Sequence, residues 1–203
     1  MRAAPAALAR SVLARSVLAA CASALAAGAQ AGAEEGRAKA QVCAACHGAD
    51  GNAVVPGTPS LAGQPRQFIV QALFMYREGT RKNAIMSPLA QPLSNADLND
   101  LAAWFSSQKM ATPKKQSDAA LADKARAITE QNNCVACHAA NLGGQQHIPR
   151  LAGQDKAYLL EQLKGFKAST RADLDGTMTS AAQALAAEDL ELIADYLSTR
   201  VVP

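Results

Sequence analysis

Two pentapeptides in this 203-residue chain carry residue types and a spacing that can do chemistry: Cys43-Ala44-Ala45-Cys46-His47 and Cys134-Val135-Ala136-Cys137-His138. On one helical turn, thiols at i and i+3 share a face and reach the two vinyl groups of a haem, while the adjacent imidazole points at the iron. A C-x-x-C pair also makes zinc sites, dithiol redox pairs and disulfides. Two copies, each followed at once by His, point to two covalently bound haems c. Cys43, Cys46, Cys134 and Cys137 then hold the porphyrins, and His47 and His138 the irons.

Each iron needs a sixth ligand, and an internal repeat shows where to look for it. Shifting the chain by 90–92 residues aligns Leu61-Ala62-Gly63-Gln64 with Leu151-Ala152-Gly153-Gln154, and Thr80-Arg81 with Thr170-Arg171. Phe68 meets Tyr158, Asp97-Leu98 meets Asp189-Leu190, and Trp104 meets Tyr196. The chain is therefore two copies of one unit. Met86 lies 39 residues after His47, and Met178 lies 40 after His138, each in an expected loop before the last helix of its copy. They are the matched pair of ligands. Met75 is opposite Gly165 and reads as a core filler. Met110 falls at the joint without a matching Met, and His147 is opposite Gly57 and reads as a surface residue. Pro59 follows His47 by 12 residues and Pro149 follows His138 by 11. Each is either a turn proline or a stiff segment whose carbonyl accepts the imidazole N–H.

The elements that must position these groups are helices. The chain is 49% apolar but only 4% aromatic, so Ala, Leu and Val dominate, which suits small helices better than a sandwich or barrel. Each half reads as three main helices. The first ends at the cysteine motif, from Glu35 to about Ala45 and from a Ser117 cap to about Val135. The second runs from about Pro65 to Glu78, and from Asp155 to about Ala168. The third is marked by Leu98, Leu101, Ala102 and Phe105, and by Leu190, Ile193, Ala194 and Leu197, each at i, i+3, i+4 and i+7. Ser94 with Asp97 reads as a capping box. Thr112, Pro113, Lys114 and Lys115 interrupt the pattern and mark the joint.

The first 33 residues have the layout of a secretory signal: Arg2, Arg10 and Arg15 without an acid, an apolar stretch from Val17 to Ala31, then small-residue cleavage sites after Ala31 or Ala33. A transmembrane anchor would need a longer, more apolar run. Cys21, in a lipobox-like Leu18-Ala19-Ala20-Cys21, follows too short an apolar segment to be acylated and leaves with the signal. The expected division is a signal over 1–33 and haem domains over 34–112 and 113–203, with a periplasmic destination. The whole chain holds 20 basic and 17 acidic residues, and losing the three signal arginines balances them. Nucleic acid is thereby excluded as a partner, since it wants clustered Lys and Arg.

The paired C-x-x-C-H motifs, the repeated Leu-Ala-Gly-Gln, the paired Thr-Arg and the Met86 and Met178 segments resemble the di-haem cytochrome c4 family over residues 34–203. In its second copy the chain departs slightly, with Thr179-Ser180-Ala181 after Met178 where Met86 has Ser87-Pro88-Leu89. The resemblance implies an all-α fold of two class I cytochrome c domains about a pseudo-two-fold axis, and His/Met irons. It implies a periplasmic electron carrier between a quinol-oxidising complex and a terminal oxidase, with peripheral membrane association. Filled axial positions leave no site for substrate, so the chain reads as a carrier and not an enzyme. Two alternatives share the motifs: an electron-transfer subunit of a larger dehydrogenase or reductase, and a di-haem enzyme such as a peroxidase or thiosulfate dehydrogenase, which would open one iron.

Overall fold

A computed structural model describes residues 32–202. The expected signal peptide, with Cys21, lies outside the described residues except for positions 32 and 33, which are helical. In the first half, helix α1 (32–39) tightens into a 3₁₀ turn, Ala40–Cys43, and continues as α2, Ala44–His47. Then come α3 (Arg66–Arg77), α4 (Met86–Ala90) and α5 (Asn95–Ser107). The second half repeats the order as α6 (Ala119–Gln131), α7 (Cys134–His138), α8 (Lys156–Lys167), α9 (Thr177–Ala184) and α10 (Asp189–Thr199). Among the described residues the only β pairing is one isolated bridge, Gln145 to Ile148.

The third helix of each copy packs as its stripe requires. Leu98, Leu101, Ala102 and Phe105 are buried in α5, as are Leu190, Ile193, Ala194 and Leu197 in α10. Helix α3 lies on α5, and α10 is flanked by α6 and α8. The first helix of each copy crosses the last closely, and small residues permit it. Gly36 faces the Asp100 backbone and Trp104, where a Cβ would clash, and Ala125 in α6 is fully buried in the second core. Lys39 ties α1 to α5 through Asp97 at 2.7 Å and Asp100 at 2.6 Å. The Ser94–Asp97 capping box forms in both directions at the start of α5.

Three expectations at element ends need correction. Ser117 does not cap α6: its hydroxyl bonds to Asp195 and Thr199, and Asp118 accepts from the N–H groups of Ala120 and Leu121 instead. That helix does not run on to Val135 either. It stops at Gln131, and Asn133, in the left-handed region at φ 55°, starts the separate turn α7. Finally, the methionine segments are not loops. Met86 opens α4, and Met178 is the second residue of α9.

Reciprocal contacts join the halves. Gln64 of the first copy bonds to the Arg150 backbone, and Gln154 of the second bonds to the Ser60 backbone, each pair through two hydrogen bonds of 2.7–3.0 Å. Such exchange of equivalent partners is what a two-fold relation produces. Arg81 adds bonds to the Tyr158 hydroxyl and Gln162, both at 3.0 Å. The connecting segment is fastened at both ends: Asn52 bonds to Lys109 and Ala111, and Asp195 to Lys115 and Ser117.

Candidate functional site

Each C-x-x-C-H segment is helical and ends on its histidine: Cys43 closes the 3₁₀ turn that runs into α2, and Cys134–His138 form α7. The turn stops there because the next residue leaves helical space, Gly48 at φ 76° and Ala139 at φ 67°. The imidazoles are buried, at 6% exposure for His47 and 7% for His138. His47 Nδ1 lies 2.8 Å from the Pro59 carbonyl oxygen, and His138 Nδ1 lies 2.8 Å from that of Pro149. A carbonyl only accepts, so Nδ1 carries the proton and Nε2 presents its lone pair. The prolines are thus acceptor sites, and both lie in irregular backbone just after a turn rather than in one. Burial pushes both imidazole pKa values down, outweighing the carbonyl bonds that push them up. The rings stay neutral, the form that binds a metal.

In the first copy, Cys43, Cys46 and His47 share one cavity with Met86, and Leu73 and Leu101 form part of its apolar wall. Residues 39 positions apart in the chain thus face one space. In the second copy Met178 packs against the core cluster that holds Leu159, Leu163 and Leu190, and Val135 of the cysteine motif packs against the same cluster. Among the described residues the four cysteines of the two motifs form no disulfide. Burial, followed by the neighbouring Cys46, raises the pKa of Cys43, and burial likewise raises that of Cys134. A zinc site would need about four such donors together. Among the described residues no group of three or more His, Cys, Asp or Glu is arranged to hold a metal ion by itself.

The residues fit a haem in a second respect. Arg150 is 5% exposed, and its Nε and Nη2 have no partner; neither has the buried Nε of Arg171. Burial pushes both guanidinium pKa values down to about 10. Arg171 has Asp173 nearby, whereas burial alone acts on Arg150; a buried cation without a counter-charge is costly, and the propionates of a porphyrin are anions of the kind Arg150 would pair with.

Sequence reasoning placed the methionines but missed what holds them. Asn83 Oδ1 accepts from the N–H groups of Ile85 and Met86, each at 2.9 Å. Asp173, the residue at the same point of the second copy, accepts from Met178 N–H at 2.7 Å and Thr179 N–H at 3.2 Å. An Asn or Asp just before a short helix is the signal that would have found them. The expected minor residues fall as read: Met75 is buried at 5% exposure, and His147 is exposed.

Comparison with known proteins adds the following. The family described as cytochrome c matches twice, over residues 33–109 and 122–200. Cytochrome c4 of Pseudomonas aeruginosa is 36% identical, covering 81% of this chain and 87% of its own length. The thiosulfate dehydrogenase electron acceptor of Thiomonas intermedia is 32% identical, covering 80% of each. The crystal structure of reduced recombinant cytochrome c4 from Pseudomonas stutzeri superposes with a TM-score of 0.77 at 34% identity, covering 83% of this chain and 98% of that one.

Proposed function

The chain belongs to the di-haem cytochrome c4 family, and on that premise we propose that it shuttles electrons in the periplasm between a quinol-oxidising complex and a terminal oxidase. It is an electron carrier with two covalently bound haems c. In this reading Cys43 and Cys46 anchor the first porphyrin, and Cys134 and Cys137 the second. His47 with Met86, and His138 with Met178, ligate the irons. The observation that carries it is the single apolar cavity that brings Met86 to Cys43, Cys46 and His47. The division into 1–33, 34–112 and 113–203 belongs to the same proposal.

When bound, each haem supplies an iron that changes between ferric and ferrous states, and a His/Met pair raises its potential. The chain's own groups do the rest. The Pro59 and Pro149 carbonyls fix the ring orientation and the tautomer. The apolar wall excludes water, and Asn83 and Asp173 hold the methionine helices in place. Held by His47 with Met86 and by His138 with Met178, the irons would have no ligand position left for a substrate, which suits electron transfer. Export by the expected signal supports the periplasmic placement. Among the described residues no helix is long and apolar enough to cross a membrane, so membrane association in this reading is peripheral.

A second reading rests on the relatives called thiosulfate dehydrogenase electron acceptor: the donor is then a dehydrogenase. Rapid-mixing reduction by each donor separates the two.

The test of ligation is optical. The exported protein should hold two haems c by pyridine haemochrome, show the far-red ferric band of methionine ligation, and ignore carbon monoxide. Met86→Ala and Met178→Ala should each remove part of that band and lower the potential of one haem. Ready carbon monoxide binding by the wild type would show an open iron and overturn the carrier reading.

A further inference from the structure

The two interdomain glutamines end on the same peptide groups that orient the iron-facing histidines. In the Pro149–Arg150 peptide, the carbonyl accepts from His138 Nδ1 at 2.8 Å, while the N–H donates to Gln64 Oε1 at 2.9 Å. In the Pro59–Ser60 peptide, the carbonyl accepts from His47 Nδ1 at 2.8 Å, while the N–H donates to Gln154 Oε1 at 2.7 Å. Each amide returns a second bond, from Gln64 Nε2 to the Arg150 carbonyl and from Gln154 Nε2 to the Ser60 carbonyl. Both glutamines are buried, at 2% and 3% exposure.

A peptide group is conjugated, so an acceptor on its N–H draws that bond out and places more negative charge on its own carbonyl oxygen. The carbonyl then pulls harder on the imidazole N–H, and the ring becomes a stronger donor at Nε2. A stronger donor stabilises ferric over ferrous iron. We infer that Gln64 and Gln154 are positioning residues that tune the haems crosswise: Gln64 of the first domain sets the potential of the His138 haem, and Gln154 of the second sets that of the His47 haem. This rests on His47 and His138 being the axial ligands. The interface is thereby part of the redox machinery, because each iron is held to its value by a side chain from the other domain.

The test is a redox titration of the loaded protein with the two haems resolved by NMR. Gln64→Met should raise the potential of the His138 haem and leave the His47 haem unchanged; Gln154→Met should do the reverse. The expected size is about a twofold to tenfold change in the reduction equilibrium constant, the span of one neutral hydrogen bond. Gln64→Glu keeps an acceptor opposite the Arg150 N–H and makes it a charged one, so it should lower the potential of the His138 haem and leave the His47 haem unchanged. The same crossed response of Gln64→Glu and Gln154→Glu serves if the Met variants do not fold. A shift in the mutated domain's own haem, equal shifts in both, no shift, or the same rise for Glu as for Met would overturn the relay. Failure of the ligand reading would show separately, as a wild type without the far-red methionine band.

Discussion

Asp173 shows how much one side chain can decide. Its carboxylate lies at the start of α9, bonded to the N–H groups of Met178 and Thr179 and to the Thr179 hydroxyl at 2.6 Å. Burial raises its pKa, but these bonds outweigh it and bring the net value below the usual carboxylate range. A carboxylate accepting at the first turn also complements the helix dipole. The first copy does the same work with neutral Asn83. Asp173→Ala should therefore weaken the hold on Met178 alone, at a cost of about 1 kcal/mol in helix anchoring. Spectra of that variant should lose far-red intensity from the second haem on warming, before the first haem changes.

Among the helices, the ends were harder to read than the faces. The apolar stripes of α5 and α10 follow from spacing alone, because burial of one face repeats every 3.6 residues whatever lies opposite. The Ser94–Asp97 box was legible for the same reason: both of its bonds are local. Ser117 failed as a cap because a distant carboxylate, Asp195 of α10, competes for its hydroxyl at 3.1 Å. A stability comparison should reflect this division of labour. Ser94→Ala and Asp118→Ala should each cost about 1 kcal/mol as lost N-caps. Ser117→Ala should instead loosen the joint, read as faster proteolysis between residues 108 and 118, with α6 intact by circular dichroism.

Over the whole molecule, the joint is fastened to the second domain by Asp195, which faces Lys115, Lys156 and Ser117. Burial raises the pKa of this carboxylate, but Lys156, Lys115 and Ser117 together bring the net value below the usual carboxylate range. A lowered folded pKa means the stabilisation is complete above the unfolded value and is lost as pH falls through the folded one. Thermal melts from about pH 5 downward should show the wild type losing stability in acid, and Asp195→Asn losing less. Partner specificity belongs at this scale too. Residues 34–112 hold 7 basic and 6 acidic side chains and residues 113–203 hold 10 and 11, so docking through either half should depend only weakly on salt.

The cofactor type, the two-fold repetition, the helical class and the residues proposed as ligands are all legible in the order of amino acids. All of these are written in short motifs or in one period, and each copy repeats them. The same order shows the Leu-Ala-Gly-Gln repeat without revealing its use. Gln64 acts on residues 86 positions away and Gln154 on residues 94 positions away, in the other copy. A repeat aligns each glutamine with its equivalent, never with the peptide it touches. The crossing emerges on folding, because the contact exists solely where the two domains face each other and bury their amides together.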